Sequence, residues 1–137
     1  MPPLGRCGGL SPVGPTRVLT VPGRRTGEPR STPVTPITVD GARYVIAALP
    51  NADWARNIRA AGHGELAQGR RRVAYTIREV ADLDVCRSVL RAFPVQARGG
   101  VPFYVRLGLV DGPDPDQFAA VADKVAVFEL IDPRRPA

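Results

Sequence analysis

The stretch Val21-Pro22-Gly23-Arg24-Arg25-Thr26-Gly27-Glu28-Pro29-Arg30-Ser31-Thr32-Pro33-Val34 is an arginine- and glycine-rich turn between two extended runs. Val18-Leu19-Thr20-Val21 leads into it, and Val34, Ile37 and Val39 carry the chain away from it. Arg24, Arg25 and Arg30 fall within seven positions. Gly23 and Gly27 let the backbone come close to a partner. Arginine forks and free backbone N–H groups in such a loop suit a phosphate or a carboxylate. A solvated basic hairpin tip is the competing reading.

Outward from this turn the pattern is that of paired strands. Residues 17–22 form a first strand and 30–39 a second, in which Pro33 and Pro36 demand an edge position or a bulge. Asp40-Gly41 is a hairpin signal, and 43–49 a third strand whose apolar end should lie deep. Asp53 can cap a helix that runs to Ala61 and stops at Gly62. Trp54, Ile58 and Ala61 share its core face, with Asn57 beside Trp54. A short strand, 64–68, turns at Gly69-Arg70. Over 72–80, Val73, Tyr75 and Ile77 alternate with polar neighbours. A helix over 82–93 carries Cys86, Val89, Leu90 and Phe93 on one stripe. Residues 94–113 read as irregular. Asp114-Pro115 opens another short helix, and Val125–Ile131 is a closing buried strand. The expected fold is α+β. About six mainly antiparallel strands curl into a small split barrel, with two or three short helices.

The totals bound the rest. The chain has 137 residues, which suits one domain of residues 17–132, a Gly/Pro-rich arm over 1–16 and a tail over 133–137. Cys7 and Cys86 are too few for a disulfide framework or a metal knuckle. No apolar run reaches membrane-spanning length, and the N-terminus lacks a secretory pattern. A cytoplasmic protein with reduced thiols is expected. The net charge is +6, and the 19 basic residues include a single lysine, Lys124. The aromatic content of 6%, with arginines gathered at turns rather than along one helix, argues against a nucleic acid or a membrane surface as the partner of that charge.

Catalytic sets are absent. The one histidine, His63, has no nucleophile or ligand at a recognisable spacing, and helix capping accounts for most of the aspartates. Redox chemistry, if present, must come from a bound cofactor that the protein holds and orients.

The run Leu19 to Val34 resembles the signature of the deazaflavin-dependent nitroreductase family. The resemblance continues in order through Asp40-Gly41, Tyr44-Val45-Ile46-Ala47-Ala48, Asp53-Trp54-Ala55-Arg56-Asn57-Ile58-Arg59-Ala60-Ala61-Gly62 and Val125 to Leu130. It implies a split β-barrel that binds coenzyme F420, a deazaflavin with a phosphodiester and an oligoglutamate tail. On that basis Arg24, Arg25 and Arg30 hold the anionic tail, and Thr32 and Pro33 line its path. Ala47, Ala48 and Leu49 lie beneath the ring, Asn57 reaches the ring or ribityl chain, and Trp54 packs the helix. The reduced coenzyme would pass a hydride to a quinone, an enone or a nitro compound, with Tyr104 or water as proton donor. A homodimer is a further implication. The Leu49-Pro50-Asn51-Ala52 loop departs from the family's pattern, and Tyr104 is the only late tyrosine. A non-catalytic binder of F420, or of FMN or a haem-like ligand, is the alternative.

Overall fold

The computed structural model describes residues 16–134. Seven strands form one antiparallel sheet in the order β2-β1-β5-β6-β7-β4-β3. They are β1 (Arg17–Pro22), β2 (Pro29–Val34), β3 (Ile37–Val39), β4 (Ala42–Ala47), β5 (His63–Gln68), β6 (Arg71–Glu79) and β7 (Ala126–Ile131). The helices among these residues are α1 (Asp53–Ala61), α2 (Leu83–Gln96), α3 (Val101–Arg106) and α4 (Pro115–Ala120). Short 3-10 turns follow α2 and α4.

The expected second strand is two strands. β2 and β3 lie at opposite edges of the sheet, yet only Thr35 and Pro36 separate them. Three virtual bonds span about 11 Å at most, whereas seven strands laid flat are ~29 Å across. The sheet must therefore curl until its edges nearly meet, which is the split barrel. Pro36 breaks the strand, and Pro33 sits on an edge as prolines in sheets do.

Alternation divides the core in two. Leu19, Val21, Val45, Leu66, Ile77 and Phe128 fill the barrel, which α1 closes with Ala55 and Ile58. On the outer face of β3, β4 and β7, Ile37, Tyr44 and Val127 pack against Val89, Leu90, Phe93 and Phe118. Asp40 at φ 50° and Gly41 at φ 81° make the tight turn that this dipeptide announces. Gly62 ends α1 at φ 74°, its N–H donating to the Ile58 carbonyl at 2.8 Å.

Some elements differ from expectation. The end of the third strand is not deep, since β4 stops at Ala47 and Leu49 is 51% exposed. Asp53 does not cap α1. The N-cap is Ala52, without a side-chain bond, and the Asp53 carboxylate is committed elsewhere. Residues 94–113 are not irregular throughout. α2 runs through Pro94 to Gln96, and α3 starts at Val101 with Pro102 in its first turn. The Gln96 amide explains why the longer helix is retained. It accepts from Thr38 N at 2.9 Å and donates to Thr38 O at 2.7 Å, covering the open edge of β3. The N-terminal arm lies outside the described residues, apart from Thr16.

Candidate functional site

The Arg/Gly turn between β1 and β2 holds its own shape. Gly23 N donates to Glu28 O at 2.8 Å and Gly27 N to Gly23 O at 2.9 Å. Gly27 adopts φ +79°, and a Cβ on Gly23 would press within 3.2 Å of Glu28 O. The turn is also tied to α1. The Asn57 amide oxygen accepts from Arg24 N at 3.1 Å and from Arg24 Nη1 at 2.9 Å, and Arg24 Nη2 reaches Asp53 Oδ1 at 3.3 Å. Asn57 is the one buried polar residue among those described.

Between turn and helix lies a cleft of about 530 Å³, lined by Arg24, Arg25, Thr26, Arg30, Thr32, Trp54 and Asn57 among others. Arg24 is spent on the helix. Arg25 and Arg30 have no carboxylate partner among the described residues, so the cleft carries uncompensated positive charge.

Beside it is a second cleft of about 480 Å³, of mostly apolar character. Pro33, Ile46, Ala48, Leu49, Phe103 and Tyr104 contribute to its wall. Trp54 lines both clefts. It is half-buried, with its ring 6.3 Å from that of Phe128. The loop over 49–52 is held by Arg59, which donates to Pro50 O at 2.7 Å and grips Glu79 through two bonds of 2.8 and 3.1 Å. That contact lowers the Glu79 carboxyl below its ordinary range and raises the Arg59 guanidinium, while burial of each opposes the shift.

The expected site residues thus fall into groups. Arg24, Arg25, Arg30, Thr32 and Asn57 meet at the basic cleft, and Pro33, Ala48, Leu49 and Tyr104 at the apolar one. Ala47 joins neither. Its side chain is on the opposite face of β4 from Ile46 and Ala48 and is buried in the barrel. Asn57 is placed at the Arg24 end, where it braces the turn. Trp54 does more than pack the helix, since it forms the wall the two clefts share. Its place beside Asn57 in the helix was the available signal. Phe93 and Phe103 gave none, because they reach the apolar cleft only through the path of α2 and α3.

Tyr104 is buried in an aromatic cluster, with ring centres 4.8 Å from Phe93 and 5.1 Å from Phe118. Burial pushes its hydroxyl well above the ordinary tyrosine range, so the phenol stays protonated at neutral pH. His63 is exposed at a separate, smaller cleft with Thr20, Glu65 and Arg72. No group of metal-ligating side chains occurs among the described residues. No helix among them is long and apolar enough to cross a membrane.

No curated protein sequence matches this chain. Solved structures do match its fold. A conserved hypothetical protein of Mycobacterium tuberculosis superposes with a TM-score of 0.61 at 14% identity, covering 87% of this chain and 73% of that one. An F420-H2 dependent reductase (FDR-A) gives 0.51 at 16%, covering 85% and 93%. A heme storage protein of Vibrio cholerae gives 0.54 at 12%, covering 88% and 82%. At these identities the likeness establishes the split-barrel fold alone. The family is established by sequence: residues 3–104 match the model of the F420H(2)-dependent quinone reductases, and the chain belongs to that family.

Proposed function

We infer that this protein is an F420-dependent reductase that delivers a hydride from the reduced deazaflavin to a quinone. The observation that carries this reading is the pairing of a basic cleft and an apolar cleft across one tryptophan. A coenzyme with a charged phosphodiester tail and a planar ring needs two such regions side by side. The donor chemistry fits. Arg25 and Arg30 are the cations free to meet phosphate and tail carboxylates, with the Thr26 and Thr32 hydroxyls beside them. Ala48, Leu49 and Ala52 offer small or apolar surface for the ring, and Trp54 bounds both regions.

When bound, F420 supplies the hydride and becomes oxidised by two electrons. The residues supply position, charge and a proton path. Arg24 fixes the turn through Asn57, so Arg25 and Arg30 stay directed to one cleft. Arg59 holds the 49–52 loop through Pro50. Tyr104 hydrogen-bonds the acceptor's carbonyl oxygen as that oxygen gains charge, and solvent completes the quinol. One hydride and one proton convert the neutral quinone to the neutral quinol, so each two-electron reduction balances.

Titration of the protein with F420, beside FMN and haemin, tests this reading. Saturable F420 binding that weakens with salt, followed by coenzyme oxidation when a water-soluble quinone is added, is the expected result. Tight binding without turnover across quinones, enones and nitro compounds would establish a carrier instead. A haem carrier is the less supported alternative, since among the described residues neither cleft wall contains a histidine or cysteine.

A further inference from the structure

Arginines gather at the end of the barrel remote from α1. β1 starts at Arg17 and runs to the turn that Arg24 ties to α1, and β4 starts at Ala42 and runs toward the same helix. The β5–β6 hairpin turns at Gly69-Arg70 on the remote end, since Ala67 pairs with Val18. Strand parity then decides which side chains point inward. Arg17 shares its side of β1 with Leu19 and Val21, and Arg43 shares its side of β4 with Val45 and Ala47. Those four apolar residues are barrel core. On β6, Arg71 stands on the side of Val73, Tyr75 and Ile77. At this mouth the apolar core therefore gives way to arginines on inward positions.

The guanidinium groups there lack the acceptors that buried donors need. Arg17 Nε is buried, and no acceptor among the described residues bonds it. Arg43 Nη1 donates to the Tyr75 hydroxyl at 3.0 Å, and Tyr75 is itself buried. The phenol oxygen accepts that bond, which leaves its own O–H to donate to a further acceptor. Arg17, Arg43 and Arg71 form no ion pair among the described residues. The nearby carboxylates are directed elsewhere. Arg134 binds Asp132 through its backbone N–H, Nε and Nη2 at 2.9, 3.1 and 3.0 Å. Glu65 lies 3.7 Å from Arg72 on the outer face, and Asp40 is exposed in the β3–β4 turn. A buried N–H without an acceptor costs free energy that a bound oxygen would recover. The group that complements several guanidinium donors and one phenol is an acceptor-only anion with several oxygens.

We propose that this mouth of the barrel binds a phosphate group, either free or carried by a small monoester. Arg17 Nε, the Arg43 guanidinium and the Tyr75 O–H meet its oxygens from within, and Arg71 closes on it from the hairpin. The barrel core separates this site from the basic cleft at the α1 end, and the proposal does not depend on the coenzyme reading.

Isothermal titration of the full-chain Arg25→Gln, Arg30→Gln double variant tests it, because that background removes the free cations of the basic cleft. The titrants are inorganic phosphate and glycerol 3-phosphate. Saturable binding of either, one per chain and weakened by salt, is expected. The tighter of the two tells a free phosphate from a monoester. Adding Arg17→Gln or Arg43→Gln should weaken binding about tenfold. Circular dichroism melting checks that each variant is folded. Arg71→Gln, an exposed change outside the core, repeats the test with an expected severalfold loss should the other two unfold. No saturable heat from either titrant at millimolar concentration overturns the proposal. So does binding that the folded Arg17, Arg43 and Arg71 variants leave undiminished, since the anion would then sit elsewhere.

Discussion

The Asn57 amide oxygen accepts two hydrogen bonds from one residue, Arg24, through its backbone N–H at 3.1 Å and its Nη1 at 2.9 Å. This joins the Arg/Gly turn to a helix residue 33 positions later, at the basic cleft. Asn57→Leu removes the acceptor and leaves two donors without partner, and should cost ~1–3 kcal/mol of stability. Asn57→Asp keeps an acceptor opposite the guanidinium and should cost less. Urea denaturation of the three proteins checks the order.

Arg24 and its neighbours should separate by phenotype. Arg25→Gln or Arg30→Gln should each weaken F420 binding about tenfold and flatten its salt dependence. Neither should move the melting temperature, because neither side chain has an ion-pair partner among the described residues. Arg24→Ala should lower both affinity and melting temperature, since it also orphans Asn57. Coenzyme titration run beside thermal melts distinguishes the two classes.

Gly100 faces Phe93 so closely that an added Cβ would lie 2.7 Å from Phe93 Cζ. The backbone at Gly100 is ordinary helical, φ −85° and ψ −10°, so the penalty is steric alone. Gly100→Ala should cost ~1–3 kcal/mol and raise the KM for the acceptor, because Phe93 lines the apolar cleft. Adding Phe93→Leu should recover part of both losses. Unchanged kinetics and stability in Gly100→Ala would show that Phe93 yields without cost.

Glu79 gives a signed pH effect. Its folded pKa lies below the ordinary value because Arg59 binds the carboxylate. Its contribution is therefore present above the unfolded carboxylate pKa and is lost as pH falls through the lower folded value. The pair is partly exposed, with side-chain exposures of 33% and 43%, so the contribution should stay below ~1 kcal/mol. Glu79→Gln should remove that acid-side component of stability. It should also loosen the 49–52 loop through Arg59 and Pro50, which a higher KM with unchanged kcat would report.

Tyr104→Phe tests the phenol in the apolar cleft. If the hydroxyl hydrogen-bonds the acceptor, kcat should fall about tenfold while F420 affinity stays the same. The wild-type rate should show no ionisation of this group through neutral pH, because burial raises its pKa. Stopped-flow oxidation of the reduced coenzyme across pH measures both.

By itself the sequence determined what short-range chemistry controls. The left-handed pair Asp40-Gly41, the stop at Gly62, the Asp82 and Asp114 caps and the alternation of Val73, Tyr75 and Ile77 all appear where local rules put them. The ordered motifs around Arg24 and Trp54 also carried the family. The tertiary structure alone decided the rest. Pro36 sends β2 and β3 to opposite sheet edges, and nothing local says which edges they join. Asp53 is the first helical residue rather than the cap, and it pairs with Arg24. Ala47 turns inward and Ala48 outward through strand parity, which depends on where the barrel's core sits. The division of one expected site into two clefts follows from the position of Trp54 between the turn and β4. Such placement depends on packing between segments distant in the chain, and side-chain spacing along the sequence does not encode it.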